Sequence, residues 1–210
     1  AERLRAGGKV ILIVPERFSV SAEQAVTSAC RNAGILNLMD LEILSFKRLC
    51  NRVFREYGGL FYNYAGKGGQ LLVMWQALCE ARDHGRLGVY KTLQLRDSGT
   101  VEAMLENVVA FKRAGITPDD LESAGESCTG NQLKKKLADL AVIYRQYDTL
   151  LHERYGDPEE DLNRLADTLE AHAEFFGARD IFVDSTSAFT AQERRVIEAL
   201  ISKGAQVTVC

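Results

Sequence analysis

Asp184 is the residue of this sequence that most directly suggests chemistry. It follows the short apolar run Ile181–Val183, which predicts a strand, and a polar segment leads from it to Thr190, where Glu193 completes a capping box that predicts a helix start. Ligands of parallel α/β sheets bind at the carboxyl ends of the strands, so we expect Asp184 to point into that crevice. A carboxylate there is typical of the magnesium-associated residue of nucleotide-hydrolysing folds. The alternative for Asp184 is that it caps the following turn.

Aromatic and basic residues follow all three predicted strands that precede a helix. Arg17 and Phe18 come after the first strand, Phe46, Lys47 and Arg48 after the second, and Phe189 after the third. All three strands are expected to end at one edge of the sheet, which brings these side chains onto one surface. Single-stranded nucleic acid is bound by rings that stack on bases and by cations that contact phosphates. The pattern therefore favours binding of a single-stranded nucleic acid over ATP chemistry, with core packing of the phenylalanines and a solvated Arg48 as the alternatives.

The elements that must position these residues alternate between strand and helix at both ends of the chain. The apolar runs Lys9–Val14 and Leu41–Leu44 predict strands of a parallel sheet, each followed by a helix, and Gly58-Gly59 ends the second helix. After Gly177 the strand–helix–strand pattern resumes. This order predicts an α/β domain with a parallel sheet and right-handed crossovers, formed by residues 1–59 and 178–210.

Residues 60–177 have a helical pattern throughout and are predicted to form an inserted all-helical subdomain. Thr117-Pro118 and Asp157-Pro158 each combine an N-cap residue with a proline at the first helical position, which predicts two helix starts. Apolar residues between 133 and 151 recur at helical spacing and predict an antiparallel partner. The apolar face near residues 162–176 is the candidate for that partner.

The composition is that of an ordinary globular chain. The 210 residues carry a net charge of −3, so the chain as a whole is not basic, although a local basic strip is compatible with this sum. Five cysteines and three histidines are scattered without metal-ligand spacing, which predicts no metal site and no disulfide framework. The chain has neither a signal peptide nor an apolar run near the roughly 20 residues that span a bilayer, which predicts a cytoplasmic protein without a membrane partner.

Both ends of the sequence have the pattern of interrupted elements. Residues 1–6 resemble the last turns of a helix that Gly7-Gly8 closes, and residues 206–210 resemble a strand with no return. We therefore expect this chain to be part of a larger protein.

Four segments, in order, give the chain a family resemblance. They are Val14-Pro15-Glu16-Arg17-Phe18, Leu44-Ser45-Phe46-Lys47-Arg48-Leu49, Phe111–Leu121 and Asp184–Glu193. With these segments the chain resembles, over nearly its whole length, the N-terminal helicase-like region of AddB (RexB), one of the two proteins of the bacterial AddAB (RexAB) helicase–nuclease. That region is a degenerate relative of UvrD-type superfamily 1 helicases. The first segment is placed like helicase motif Ia, and the last is similar to the strand and turn of the Walker B motif.

The resemblance implies a RecA-like fold of the P-loop NTPase type, incomplete in this chain, with an inserted helical subdomain. It also implies part of an ATP-dependent helicase and exonuclease for double-strand break repair and recombination. In that enzyme AddB forms a heterodimer with the helicase–nuclease AddA, scaffolds the complex and scans single-stranded DNA for the hotspot sequence Chi. On this comparison Asp184 is the degenerate Walker B residue. The resemblance also implies a set of DNA-contacting residues, which are Arg17, Phe18, Phe46, Lys47, Arg48 and Phe189.

Two departures from active helicases of this class concern ATP. The visible phosphate-loop candidate, Gly66–Gly69, lacks a preceding strand and the hydroxyl that would hold magnesium, so we interpret it as a flexible turn. Ser185 stands where an active helicase has the glutamate that activates water, which implies that ATP is not hydrolysed here. We therefore expect no cofactor in this chain, with ATP and magnesium as cofactors to be considered only for the full-length protein.

Two other functions remain open on the sequence. The chain could belong to an active UvrD-like DNA helicase, against which the missing glutamate counts. It could also be an α/β protein-interaction module unrelated to DNA, which would make the four ordered segments accidental. An upstream phosphate loop would favour the active helicase, and a test of single-stranded DNA binding addresses the interaction module.

Overall fold

A computed structural model describes residues 2–60, 63–92, 98–172, 175, 179–184, 188–203 and 206–209. The strands in these residues are β1 Lys9–Ile13, β2 Leu41–Leu44, β3 Arg179–Val183 and β4 Gln206–Val209. The helices α1 to α9 cover Glu2–Arg5, Ser19–Asn32, Phe46–Tyr57, Lys67–Asp83, Ser98–Ala114, Pro118–Ser127, Asn131–His152, Asp161–Ala171 and Ala191–Ser202. None of the helices in this described part combines the length and apolarity that a bilayer crossing requires.

The four strands form one parallel sheet in the order β2-β1-β3-β4. Its register is aligned, because Ile13 lies opposite both Leu44 and Val183, and Val183 lies opposite Val209. The carboxyl ends of the strands therefore lie level with one another, and we refer to this side of the sheet as the carboxyl edge. The prediction of an α/β fold with a parallel sheet is confirmed.

The chain divides into two compact units, residues 1–60 with 161–210 and residues 61–160. The first contains the sheet and the second is helical. The sequence pattern assigns the helix near 162–176 to the helical part, whereas α8 packs against α3 and α9 in the sheet-containing unit. Leu165 and Leu169 of α8 complete the apolar layer over the sheet, and helical periodicity does not reveal which apolar layer a helix will join.

One face of the sheet carries the core of the first unit. Ile11, Ile13, Ile181 and Val183 are each 1% exposed and pack against buried residues of α3, α8 and α9. Alternation along the strands puts these four side chains on the same face. Cys50 of α3 belongs to this layer, and burial raises the pKa of its thiol to about 12. It is therefore protonated and unreactive at neutral pH.

Two of the predicted helix starts are confirmed as capping boxes. Thr117 and Thr190 each accept a hydrogen bond from the backbone N–H three residues ahead. In return, the carboxylates of Asp120 and Glu193 accept the N–H of the two threonines. Each box satisfies two backbone donors that a helix start leaves without a partner.

The helix start predicted at Asp157-Pro158 is wrong, because residues 158–160 form a turn and the next helix, α8, begins at Asp161. Asp157 also belongs to an ionic cluster in the helical unit. The Lys112 side chain is 4% exposed, and its Nζ lies 2.6 Å from Asp148 Oδ1, 2.5 Å from Asp157 Oδ2 and 3.3 Å from Glu160 Oε1. A buried ammonium needs such partners. The second oxygen of Asp157, Oδ1, accepts the Glu159 N–H at 2.9 Å and so caps the turn that precedes α8.

Two further interpretations of the helical segment are corrected. α7 packs against α4 and α6, so the seam predicted between residues 133 and 151 is filled by helices that precede it in the chain, except at Leu133, which is 52% exposed. Gly66–Gly69 is not a flexible turn. Gly66 is the N-cap of α4, and Lys67, in the first turn of this helix, makes an ion pair with Glu102 at 2.8 Å.

His152 makes the ionic cluster sensitive to pH. Its Nδ1 lies 2.7 Å from the Asp148 carbonyl oxygen and its Nε2 lies 2.9 Å from the Glu160 carboxylate, and only the imidazolium donates both bonds. Burial lowers the pKa of His152, but the bonds to Glu160 and Asp148 outweigh it, so the pKa is raised above its ordinary value. When folding raises the pKa of a group, the protonated group stabilises the folded state. This stabilisation is complete at pH values below the pKa of the unfolded state, and it is lost as the pH rises through the pKa of the folded state.

We expect the free energy of unfolding to decrease as the pH rises above the ordinary histidine value of 6.5. The loss should not exceed about 1 kcal/mol, because the pair is partly exposed. Urea titrations followed through Trp75, the one tryptophan of the chain and part of α4, measure this effect. The variants His152→Gln and Glu160→Gln should both lose this part of the pH dependence, and its persistence in both would contradict the assignment.

Candidate nucleic-acid interface

The carboxyl edge holds the loops that carry the predicted DNA-contacting residues. The Val14 N–H donates to the Leu44 carbonyl and the Asp184 N–H donates to the Ile13 carbonyl, both at 2.9 Å. The backbone ladder thus extends one residue beyond the strands on both sides of β1. These bonds fix the points at which the segments after β1, β2 and β3 leave the sheet, side by side.

Phe18 presents a solvent-accessible ring in the loop after β1. The residue is 40% exposed, and the Arg17 guanidinium lies over the ring at 4.7 Å from its centroid. Glu16–Phe18 forms one 3-10 turn that leads directly into α2, so the two side chains leave the backbone beyond the end of the strand. A ring and a planar cation in this arrangement form a surface on which a base can stack.

Lys47 and Arg48 add two cations to the first turn of α3. Both residues are exposed, and this turn contains no acidic residue. A helix N-terminus already carries positive partial charge, so cations there disfavour the helix and strengthen the positive potential. The N–H groups of Phe46 and Lys47 have no acceptor within the helix, as at any helix start. The start of α3 is therefore suited to an anion.

A hydrogen bond joins the loops after β1 and β2. The buried Ser45 hydroxyl donates to the Glu16 carboxylate, and its oxygen accepts the Arg48 N–H at 3.3 Å. One hydroxyl therefore couples the loop of Phe18 to the start of α3. Glu16 and Ser45 were not predicted as site residues, although their positions in the segments that follow β1 and β2 were an available signal.

Phe46 and Phe189 are half-buried, and both pack against the core of the sheet-containing unit. Each ring therefore contributes to packing, and only part of its surface is available to a ligand. Of the three predicted phenylalanines, Phe18 is the most exposed. The structure thus brings the six predicted DNA-contacting residues to segments that follow the carboxyl edge, but with unequal accessibility.

Asp184 follows β3 as an exposed residue. Its carboxylate has no hydrogen-bond partner within the part of the chain that the structure describes. Magnesium needs several oxygen ligands in octahedral geometry, and Asp184 supplies only one side chain. Ser185, the next residue, lies outside the described residues.

A group of potential metal ligands occurs in the helical unit. Asp148, His152 and Glu160 offer ligand atoms within 4.8 Å of one another, among the described residues. The Lys112 ammonium forms ion pairs with two of these carboxylates. Burial lowers the pKa of Lys112, but Asp157 and Asp148 outweigh burial and raise it, so the ammonium is charged. A metal ion would have to displace this cation, and the cluster is therefore ionic packing.

The whole chain, residues 1–210, matches the family model described as "ADDB, N-terminal". It is 34% identical over 200 residues to a protein of Thermoanaerobacter sp. (strain X514) named as the B subunit of an ATP-dependent helicase/deoxyribonuclease, which covers 95% of this chain and 17% of that relative. The protein of the same name from Caldanaerobacter subterraneus subsp. tengcongensis is 36% identical over 204 residues, or 97% of this chain and 17% of the relative. The chain therefore spans only 17% of the length of these curated relatives. Its match over the full length shows that the chain belongs to the AddB N-terminal family.

Proposed function

We propose that this chain is the helicase-like N-terminal part of the B subunit of an ATP-dependent helicase/deoxyribonuclease, where it binds single-stranded DNA and scaffolds the complex. The observation that carries the proposal is the carboxyl edge, where the loop of the exposed Phe18 is hydrogen-bonded to the cationic start of α3. The names of the relatives support the assignment to an AddB protein. The parallel sheet with aligned carboxyl ends supports a RecA-like fold of the P-loop type.

A DNA strand would cross the carboxyl edge along the loops after β1 and β2. One base stacks on the surface formed by Phe18 and Arg17, and the neighbouring phosphate contacts Lys47 and the backbone N–H groups at the start of α3. Phe46 and Phe189 add the exposed parts of their rings. The Glu16–Ser45 bond holds the stacking and phosphate-binding elements at a fixed separation.

The chain does not hydrolyse ATP in this proposal. Asp184 is the one described carboxylate at the predicted Walker B position, and Ser185 offers no carboxylate that would activate water. This chemistry disfavours an active UvrD-like helicase. Translocation is assigned to the AddA partner, and this chain scans the strand that AddA delivers for the hotspot sequence Chi during double-strand break repair and recombination. If the full-length protein binds ATP and magnesium, Asp184 is the residue expected to lie near the metal.

Replacing Phe18 with alanine should weaken the binding of a labelled single-stranded oligothymidylate by roughly 5- to 150-fold, since stacking contributes about 1–3 kcal/mol per base. Fluorescence anisotropy at low ionic strength measures the dissociation constant. Lys47→Gln should weaken binding to all sequences similarly and lower the salt slope by about 0.7, the value for one lost phosphate contact.

Trp75→Ala provides the matched control, because Trp75 is also an exposed aromatic residue (47%) but lies on α4 in the helical unit. Its dissociation constant should equal that of the unmodified chain. Absence of salt-sensitive binding by the unmodified chain would overturn the proposal and favour an interaction module unrelated to DNA. So would equal effects of Phe18→Ala and Trp75→Ala.

A further inference from the structure

Glu23 forms an ion pair with Arg48, one of the cations at the carboxyl edge. Its carboxylate lies on α2, 2.8 Å from the Arg48 guanidinium in the first turn of α3. The two side chains are 46% and 44% exposed, so solvent and ligands reach both. The residues are 25 positions apart, and no local pattern in the sequence pairs them.

The Glu23–Arg48 pair is not explained by stability. Exposed ion pairs stabilise proteins little, because water screens them and two long side chains lose freedom. The location also opposes the helix dipole, which favours acidic and not basic residues in the first turn of α3. Lys47, the neighbouring cation, has no ion pair within the described residues. One of the two adjacent cations is therefore neutralised and the other is available.

We propose that Glu23 lowers the affinity of this interface for the DNA backbone by holding Arg48 away from phosphate. The inference rests on the proposed DNA-binding function. A guanidinium forms the same paired hydrogen bonds with a carboxylate as with a phosphate, so the Glu23 carboxylate occupies the groups that a phosphate would use. The affinity for the phosphate backbone is thereby lowered for every sequence equally.

The exchange of partners has a distinctive salt signature. A cation that binds DNA strengthens the salt dependence because DNA counterions are released, with a slope of about 0.7 per contact for single strands. While Glu23 holds Arg48, the guanidinium makes no phosphate contact and adds nothing to the slope. Removing the charge of Glu23 should therefore convert Arg48 into a full phosphate contact.

The test is a salt titration of oligonucleotide binding by the 210-residue chain and its Glu23→Gln variant, again by anisotropy. We expect the variant to bind more tightly, with a slope steeper by about 0.7. A fourfold rise in salt should therefore weaken DNA binding by the variant roughly threefold more than DNA binding by the unmodified chain. The double variant Glu23→Gln/Arg48→Ala should lose this gain. The gain in affinity should be the same for oligonucleotides of different sequence, because a phosphate contact does not read the base.

Glu56→Gln is the matched control. Glu56 pairs with Arg52 on α3, the helix that carries Arg48, and replacing Glu56 with glutamine changes the net charge as much as replacing Glu23 does. A slope unchanged in Glu23→Gln, or changed equally in Glu56→Gln, overturns the inference. If the unmodified chain binds and Phe18→Ala weakens it, the proposed function stands even when the inference on Glu23 fails. If neither the unmodified chain nor Glu23→Gln binds, both fail together.

Discussion

Replacing Lys112 with methionine is expected to destabilise the helical unit by about 3–5 kcal/mol, the usual effect of removing one partner from a buried ion pair. The Asp157 side chain is 1% exposed and that of Asp148 is 26% exposed, so their carboxylates would lose the cation that permits their burial. Methionine keeps most of the aliphatic stem, and the loss therefore reports mainly on the charge. The ammonium also lies 5.6 and 5.8 Å from the ring centroids of Tyr144 and Tyr147, which adds a smaller cation–π contribution.

Urea unfolding followed through Trp75 fluorescence reports on the stability of the helical unit, which contains both Trp75 and Lys112. Arg113→Met is the matched control. Arg113 is the next residue, and its side chain is 57% exposed in an ion pair with Glu159, so its loss should cost less than about 1 kcal/mol. The double variant Lys112→Met/Asp157→Asn should recover part of the stability, because it removes an unpaired buried charge. Equal losses in Lys112→Met and Arg113→Met would show that the cluster does not carry this stability.

Replacing Asp139 with alanine is expected to lower the free energy of unfolding by about 2–4 kcal/mol, because several charge-assisted hydrogen bonds are lost together. Asp139 on α7 is 4% exposed. Its carboxylate accepts the N–H groups of Gly88, Val89 and Tyr90 at 2.9, 2.8 and 2.8 Å. This one side chain therefore attaches the segment after α4 to the central helix of the unit.

Amide hydrogen exchange gives this prediction a local readout. Gly88, Val89 and Tyr90 should lose protection in the Asp139→Ala variant before the rest of the unit does. Asp83→Ala serves as the control, since the Asp83 side chain is 66% exposed and pairs only with the adjacent Arg82 among the contacts described, so its effect should stay within about 0.5 kcal/mol. Unchanged protection of the three amides in Asp139→Ala would contradict the assigned role.

These two stability determinants lie in the helical unit, whereas the proposed DNA contacts lie in the sheet-containing unit. Variants of Lys112 and Asp139 therefore change the folding of one unit without touching the aromatic and basic residues of the carboxyl edge. Variants of Phe18 and Glu23, which are exposed, should change binding with little effect on unfolding. The two classes of variant separate a loss of DNA binding from a loss of structure.

The candidate site was predictable in outline from the sequence. The apolar runs that end before Arg17, Phe46 and Asp184 specify strands, and parallel strands present their following residues at one edge. The accessibility of each ring was not predictable. Phe18 ends a 3-10 turn and faces solvent, whereas Phe46 begins a helix whose apolar side packs on the sheet. Burial of a phenylalanine depends on which surface its element contacts, and sequence position alone does not contain that information.

The sequence by itself determined the features that arise between residues close together in the chain. The strands, the capping boxes at Thr117 and Thr190 and the order of the family segments are of this kind, since periodicity and caps act within a few residues. Only the tertiary structure decided the placement of α8, the burial of Lys112 and the pairing of Glu23 with Arg48. The ion pairs of Lys112 with Asp157 and Glu160 join residues 45 and 48 positions apart, and that of Glu23 spans 25. Charged residues at such separations have no periodic signature, and they meet only where packing of the apolar core brings their segments together.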